Sequence, residues 1–423
     1  MAKFLHIADI HLGFDRYSSP ERTKDFFRAL QTTLERYAIE AEADFVLIAG
    51  DLFEHRSIKP ATLNQAQLCL QALQNANIPV FAIEGNHDNR PYGTATSWLK
   101  YLSEWGLLRL LEPQDPKHGA EFLVPWNPAT RSGSYCDLDC GVRVIGSNWY
   151  GATAPRAIEQ MAAAIQTLPP GPGTTVLMFH HGLEGQIARY AGALRYADLL
   201  PLRTAGVDYL ALGHIHRQYE VEGWVFNPGS LEANNVEESL HRRGAYLVET
   251  TSQGLRANLQ TDYFQRPILR LEVIAKGDES VDDLRAKCQD IVATAVRDRV
   301  DSVVAPIVEV RITGQVGFDR LDLDIRSLQE DLKAIGGALF VLLKYNVESV
   351  AYQMPVMEGS SRLAIEQGIF TDMLAAHRDY KGRAADLALG LTELKDRQLE
   401  GDPEVNLYHW VGTLLDLDLP KQN

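Results

Sequence analysis

The sequence predicts an α/β fold, and three observations carry that expectation. Short runs of aliphatic and β-branched residues recur along the first 260 positions, helix-period segments lie between several of them, and most of the runs stop at a polar residue followed by a loop. Runs that are apolar at nearly every position read as strands buried on both faces, and strands alternating with helices build a layered α/β domain.

In chain order the strand-like runs are "KFLHIAD", "DFVLIAGD", "PVFAIEGNHD", "VRVIGSNW", "TTVLMFHHG" and "VDYLALGHIH", followed by "GWVFNPGSLE" and "RGAYLVET". Residues 19–40 predict a helix, with Ser19 as cap, Pro20 at the first position, and Phe26, Phe27, Leu30, Leu34 and Tyr37 at helical spacing. A second helix is expected over 60–76, again opening on a proline. A boundary falls near "TDYFQRP", 261–267. Beyond it the pattern runs strand 268–274, helix 280–298, strand 306–313, helix 324–336, strand 338–345, a small α+β unit of split-βαβ type. Ser280 and Asp283 there form a variant capping box. From about Ser361 the chain reads as helices, the last opened by Pro403 and carrying Leu407, Trp410 and Leu414. Three domains result: 1–262, 263–358 and 359–423.

Composition narrows the class. With 45% hydrophobic and 23% charged residues the chain is ordinary for a globular protein. No apolar run approaches the roughly 20 residues that span a bilayer. The N-terminal "MAKFLHIADIH" lacks a signal-peptide pattern, so a cytoplasmic protein without membrane association is expected. The four cysteines are too few and scattered for a disulfide framework, and "YCDLDCG" reads as a hairpin with two reduced thiols. The net charge of −15 argues mildly against a surface that grips nucleic acid throughout. From residue 261 onward there are 19 Lys+Arg against 28 Asp+Glu, leaving room for a local basic groove in the N-terminal part.

The ends of the apolar runs carry the chemistry. They are Asp9 and His11, then Asp51, then Asn86, His87 and Asp88, then His180 and His181, then His214 and His216. A lone H-x-H pair is weak evidence of a metal site. Five strand ends that all bear Asp, Asn or His are not what chance placement gives, and α/β sheets bring such ends together. Oxygen and nitrogen donors suit manganese, iron or zinc, and their number suits two divalent ions sharing a carboxylate, the arrangement used for in-line displacement at phosphorus. In an extended D-x-H or H-x-H segment, residues i and i+2 point the same way, about 6–7 Å apart. Asp9 and His11 could thus reach one ion, and His214 and His216 two neighbouring ones. With only Asp9 and Asp51 anionic, such a cluster stays net positive, which favours a phosphodiester. His87 is placed to protonate a leaving oxygen, and Asp88 either fixes its tautomer or serves the loop.

The series D-x-H, G-D, G-N-H-D, H and G-H-x-H resembles the signature of calcineurin-like metallophosphoesterases over roughly residues 1–235. The stretches "HIADIHLG", "ERTKDFFRA", "DFVLIAGDLF", "PVFAIEGNHD", "LGHIHR" and "NPGSLE" are similar to the SbcD-type nuclease subunits of that superfamily. The resemblance implies a four-layer α/β/β/α phosphoesterase domain, a small α+β DNA-capping domain and C-terminal helices that dock on a coiled-coil ATPase of the SbcC type. It implies that Asp9, His11, Asp51 and His216 hold one manganese and Asp51, Asn86, His180 and His214 the other, with Asp51 shared and His87 the catalytic acid. In "FHHG" the first histidine is the implied ligand and His181 stands behind it. The implied activity is manganese-dependent exonucleolytic and endonucleolytic cleavage of DNA in double-strand break and hairpin processing, by a homodimer. One departure stands out: the family often has His or Asp where this chain has Glu54. The acidic charge keeps open a stand-alone phosphodiesterase or phosphatase acting on nucleotides or other small phosphoesters.

Overall fold

Strands buried at nearly every position build the first two sheets. In the computed structural model, β1 (Lys3–Ile7), β2 (Phe45–Ala49), β3 (Val80–Ile83) and β4 (Arg109–Leu110) run parallel. The described residues are 1–114, 121–186, 192–297, 304–349, 362–375, 377 and 380–415. A second sheet holds β5 (Tyr135–Asp137), β6 (Val142–Ile145), β7 (Thr174–His180), β8 (Tyr209–Gly213), β9 (Tyr219–Val221) and β10 (Val225–Asn227) in the order β5-β6-β7-β8-β10-β9. Strands β11 (Ala245–Thr251) and β12 (Gly254–Gln260) return antiparallel onto β1 and complete the first sheet as β12-β11-β1-β2-β3-β4.

Both faces of each central strand are covered, which explains why the runs lack polar alternation. Phe4, Phe45, Leu47 and Phe81 meet Val144, Met178, Tyr209 and Ala211 between the sheets. Leu5, Ile7, Val46 and Ile48 face outward against helices α1 (Pro20–Leu34), α2 (Pro60–Asn75) and α3 (Trp98–Glu104). On the other side Leu177, Phe179, Leu210 and Leu212 pack against α4 (Ala154–Thr167) and α5 (Tyr196–Thr204). The result is four layers, α/β/β/α. Pro20 and Pro60 sit in the first turns of α1 and α2, as their fixed φ favours. Ser19 occupies the cap position but makes no side-chain cap bond. A five-residue π-helix, Glu35–Ile39, continues α1 toward the predicted end near 40. Cys136 and Cys140 are free thiols at the β5–β6 hairpin.

His6 is a polar tie inside the apolar middle layer. From β1 it reaches across to β8, with Nδ1 2.9 Å from the Tyr209 hydroxyl and Nε2 3.0 Å from the Leu212 carbonyl. Burial drives its pKa down to about 3, against a smaller upward pull from that carbonyl. The imidazole is therefore neutral in the fold, while the unfolded chain takes up its proton below about 6.5. Stability linked to His6 is complete above that pH and is lost as pH falls from about 6.5 toward 3, at up to about 1.4 kcal/mol per pH unit. His6→Gln is expected to flatten the acid limb by about one proton. Denaturant titrations of both proteins between pH 7 and 4 would show it, and parallel curves would contradict it.

The chain divides into two units, Met1–Arg266 and Pro267–Asn423. In the second, β13 (Ile268–Lys276), β14 (Ile307–Val316) and β15 (Phe340–Ser349) form one parallel sheet in sequence order. Helices α6 (Val281–Arg297) and α7 (Ile325–Gly336) are its crossovers and bury Leu284, Cys288, Val292, Leu328 and Leu332 against Val308, Val310 and Ile312. The expected split βαβ is thus corrected. Each crossover delivers the next strand beside the last, and no strand is inserted between them. Ser280 and Asp283 do form a reciprocal capping box, at 3.2 and 3.1 Å. Helices α8 (Arg362–Ala375), α9 (Ala384–Glu400) and α10 (Glu404–Leu414) follow. The expected boundary at 358/359 lies outside the described residues. Among those residues, no helix is long and apolar enough to cross a membrane.

Candidate metal centre

All five polar strand ends meet at one edge of the β-sandwich, three from the first sheet and two from the second. Asp9 and His11 follow β1, Asp51 follows β2, Asn86 and His87 follow β3, His180 ends β7, and His214 and His216 follow β8. The chain is not extended there, as the i, i+2 expectation requires. Asp9, His11, Asp51 and His214 have φ of 51°, 52°, 53° and 86°. Left-handed backbone at a non-glycine residue is costly, and four such residues at one place mark a geometry held by the surrounding structure. Two glycines let the segments approach: a Cβ on Gly85 would overlap the Asp51 carboxylate, and one on Gly213 would collide with the Ala49 carbonyl and the His180 ring.

The donors fall into two sets. Asp9, His11 and His216 offer ligand atoms within 4.8 Å of one another, as do Asp51, His180 and His214. Nε2 of His11 and Nε2 of His216 lie 3.1 Å apart. Nε2 of His180 lies 3.2 Å from Asp51 Oδ2. Asn86 Oδ1 is 2.9 Å from His214 Nδ1, and both Asp9 oxygens accept from the His214 backbone N–H at 2.9 Å. The two histidines of H-x-H thus join different sets. His181 joins neither: its ring nitrogens face the carbonyls of Gly182 and Gly151, and the ring stacks on Trp149. A further grouping, His11, Glu54 and His87, overlaps the first.

Electrostatics mark the same residues. Burial alone would raise Asp51, but the neighbouring His180 holds its carboxyl well below the usual range. Burial alone would lower His180, yet Asp51 carries it up to about 9. Burial, together with the charge on His180, pushes His214 down to about 3. A proton therefore sits where Asp51 asks for a cation. The donor chemistry fits divalent ions: His180 Nε2 is buried with no hydrogen-bond partner among the described residues, beside an anionic oxygen. Ligands of this kind exchange protons for metal on binding.

What fixes the rings was only partly legible. His180 Nδ1 donates to the Ala49 carbonyl at 2.7 Å, turning Nε2 toward Asp51. His216 Nδ1 is bonded to Glu238 Oε1 at 3.0 Å, and His11 Nδ1 lies 2.9 Å from Glu54 Oε2. Carboxylates behind two facing imidazoles, Glu54 buried and Glu238 half-buried, set tautomer and basicity, as in metal–histidine–carboxylate triads. Glu54, seen in the sequence only as a departure, is one of them. Glu238 stands in "VEESL", which carries no metal pattern. Glu54→Gln and Glu238→Gln are each expected to weaken divalent-metal binding roughly 10–100-fold, read by calorimetric titration. Unchanged affinity in both would contradict the assignment. Asp88 serves the loops and not the His87 ring. Its carboxylate accepts from the N–H groups of Leu52, Phe53 and Gly85 and braces the loops. The Glu54 carbonyl, 2.6 Å from His87 Nδ1, fixes that tautomer instead.

The centre opens into a recess of about 690 Å³ that His87, Asn86, His214 and Arg217 help to line. Residues 2–218 match the sequence profile of the calcineurin-like phosphoesterases. The DNA double-strand break repair protein Mre11 of Archaeoglobus fulgidus is 32% identical over 337 residues, covering 75% of this chain and 72% of that protein. The Mre11 of Aeropyrum pernix is 28% identical over 360 residues, covering 83% and 81%. With its strand-end donors, its four layers and these matches, the chain belongs to the calcineurin-like phosphoesterase family.

Proposed function

We propose that the chain is a two-metal DNA phosphodiesterase, with exonuclease and endonuclease activity, that uses manganese and works as the nuclease subunit beside a coiled-coil ATPase of the SbcC type in double-strand break and hairpin processing. The observation that carries this reading is the convergence of donors from two sheets on one buried centre, with His87 half-buried beside it in an open recess. The relatives named for double-strand break repair support the nucleic-acid substrate.

Asp9, His11, Asp51 and His216 would hold one ion, and Asp51, Asn86, His180 and His214 the other. The chemistry supplied by such a pair is Lewis acidity toward a phosphodiester and activation of a water. The rest falls to side chains. Glu54 and Glu238 keep His11 and His216 facing each other. The Asp51 Oδ1 oxygen accepts from the His87 backbone N–H at 2.9 Å and ties that residue to the centre. With the Nδ1–H of His87 committed to the Glu54 carbonyl, Nε2 faces the site, and the imidazolium form of the ring delivers its Nε2 proton to the departing oxygen and is left as the neutral Nδ1–H tautomer.

The second unit is assigned two roles. Its parallel sheet, β13–β15, is proposed to cap DNA. Its C-terminal helices are proposed to dock the ATPase, in keeping with Leu363, Ile369 and Met373, which are exposed on α8, and Tyr408, exposed on α10. Homodimerisation is part of the same reading. The test is incubation of the full chain with manganese and end-labelled duplex or hairpin DNA, with and without the ATPase. Fragments are expected. Turnover of small diesters with no DNA cleavage under either condition would favour the stand-alone phosphodiesterase that the net charge of −15 suggests.

A further inference from the structure

We infer that the recess beside the metal centre, formed by Arg56, Asn89, Arg90, Tyr92 and Trp149, is a subsite for an unpaired nucleotide of the strand being cut. The inference rests on the nuclease reading above and names the part of the substrate that this face takes.

The recess encloses about 890 Å³, within the range of small-ligand sites. It adjoins the metal donors on two sides. Trp149 lies with its ring 5.2 Å from that of His214 and 5.6 Å from that of His180. Arg56 donates to the Asn86 carbonyl at 3.3 Å, and its own carbonyl receives the Trp98 indole N–H at 3.0 Å, so its backbone is anchored. Arg56 also lines the recess on the other side of His87, with Arg16 and Glu54.

Charge and exposure define the ligand. Arg56 and Arg90 make no direct ion pair among the described residues, although Arg90 is near enough to the Glu84 carboxylate to favour its charge, in a chain whose acidic residues exceed its basic ones by 15. Two guanidinium groups free of a direct ion pair there suit the phosphates flanking a scissile bond. Tyr92, in the same loop, is fully exposed and packs on nothing that would explain a large ring at that place. An exposed aromatic beside arginines, with a second aromatic in the recess, is the composition of single-strand stacking sites, where a base needs a π-face and its phosphate a cation. A base paired inside a duplex has both faces covered by its neighbours. The subsite therefore selects a nucleotide already out of the helix, as at an overhang, a frayed end or a hairpin loop.

Binding of fluorescent single-stranded oligothymidylate and of a blunt duplex to the full chain, in EDTA to prevent cleavage, tests this. Tyr92→Ala is expected to weaken single-strand binding roughly tenfold, the size of one lost base–aromatic stack, with Tyr92→Phe close to wild type and duplex binding unchanged. Arg56→Ala with Arg90→Ala should lower the salt dependence of the same binding. Hydrolysis of bis-p-nitrophenyl phosphate by Tyr92→Ala should match wild type, showing an intact centre. Unchanged single-strand binding in Tyr92→Ala overturns the inference, and so does an equal loss on single strand and duplex. Failure of the wild-type chain to cut any DNA would instead sink the nuclease reading, while the stacking measurement stands on its own.

Discussion

Asp51→Ala is expected to lose both divalent ions together and to lower phosphodiester hydrolysis by at least ~10³-fold, equivalent to about 4 kcal/mol of barrier. Asp51 is buried at the junction of the two donor sets. One of its oxygens lies 3.2 Å from His180, the other accepts from the His87 backbone, and it feels the charges of His11 and His180. Among the described residues Asp9 also feels the charges of both sets, but its ligand atoms group with His11 and His216, and Asp88 is consumed by backbone N–H groups. Removing Asp51 also removes the anion that offsets His180, so two like-signed demands collapse at once. Metal analysis of the variant after gel filtration, with circular dichroism as a check on folding, gives the answer. Asp51→Asn serves where the alanine variant does not fold. Retention of one full equivalent in a folded variant would show that the sets are independent.

His87→Ala is expected to leave metal content unchanged and to slow DNA cleavage by roughly 10²–10⁴-fold, the usual contribution of a positioned general acid. Leaving-group dependence separates this role from a structural one. An alkoxide oxygen leaving a DNA strand needs a proton, whereas p-nitrophenolate leaves readily without one. The variant should therefore lose far more activity on DNA than on bis-p-nitrophenyl phosphate. An equal loss on both substrates would mean that His87 positions substrate or metal and does not donate a proton. Its surroundings favour the first outcome, because the ring is held through Nδ1 by the Glu54 carbonyl and takes no part in the two principal donor sets.

The layered architecture was readable because the central strands are apolar on both faces, and Phe4 with Leu5, or Phe45 with Val46, show why: one residue of each pair faces the other sheet and the next faces a helix. The donor blocks were readable for a related reason. Strand ends in such a fold are points of convergence, so Asp9, Asp51, Asn86, His180 and His214 could be gathered without knowing the path between them. Two things were not legible. The left-handed backbone at Asp9, His11 and His214 is set by the folded surroundings of these loops, and local sequence alone suggested an extended chain. Glu238 reaches His216 from a short 3-10 turn 22 residues on, through a fold-dependent contact that no spacing rule encodes. The split topology expected for the second unit failed similarly: strand and helix order were right, but neighbour order in a sheet is set by where each crossover lands.

The shared centre is the claim on which the rest depends, and electron paramagnetic resonance of the manganese-loaded chain tests it most directly. Two manganese ions held as proposed, with Asp51 serving both the Asp9–His11–His216 and the Asp51–His180–His214 sets, would form an exchange-coupled pair. The spectrum predicted at full loading is the broad multiline signal of such a pair. A six-line signal of isolated manganese that accounts for all the bound metal would contradict it.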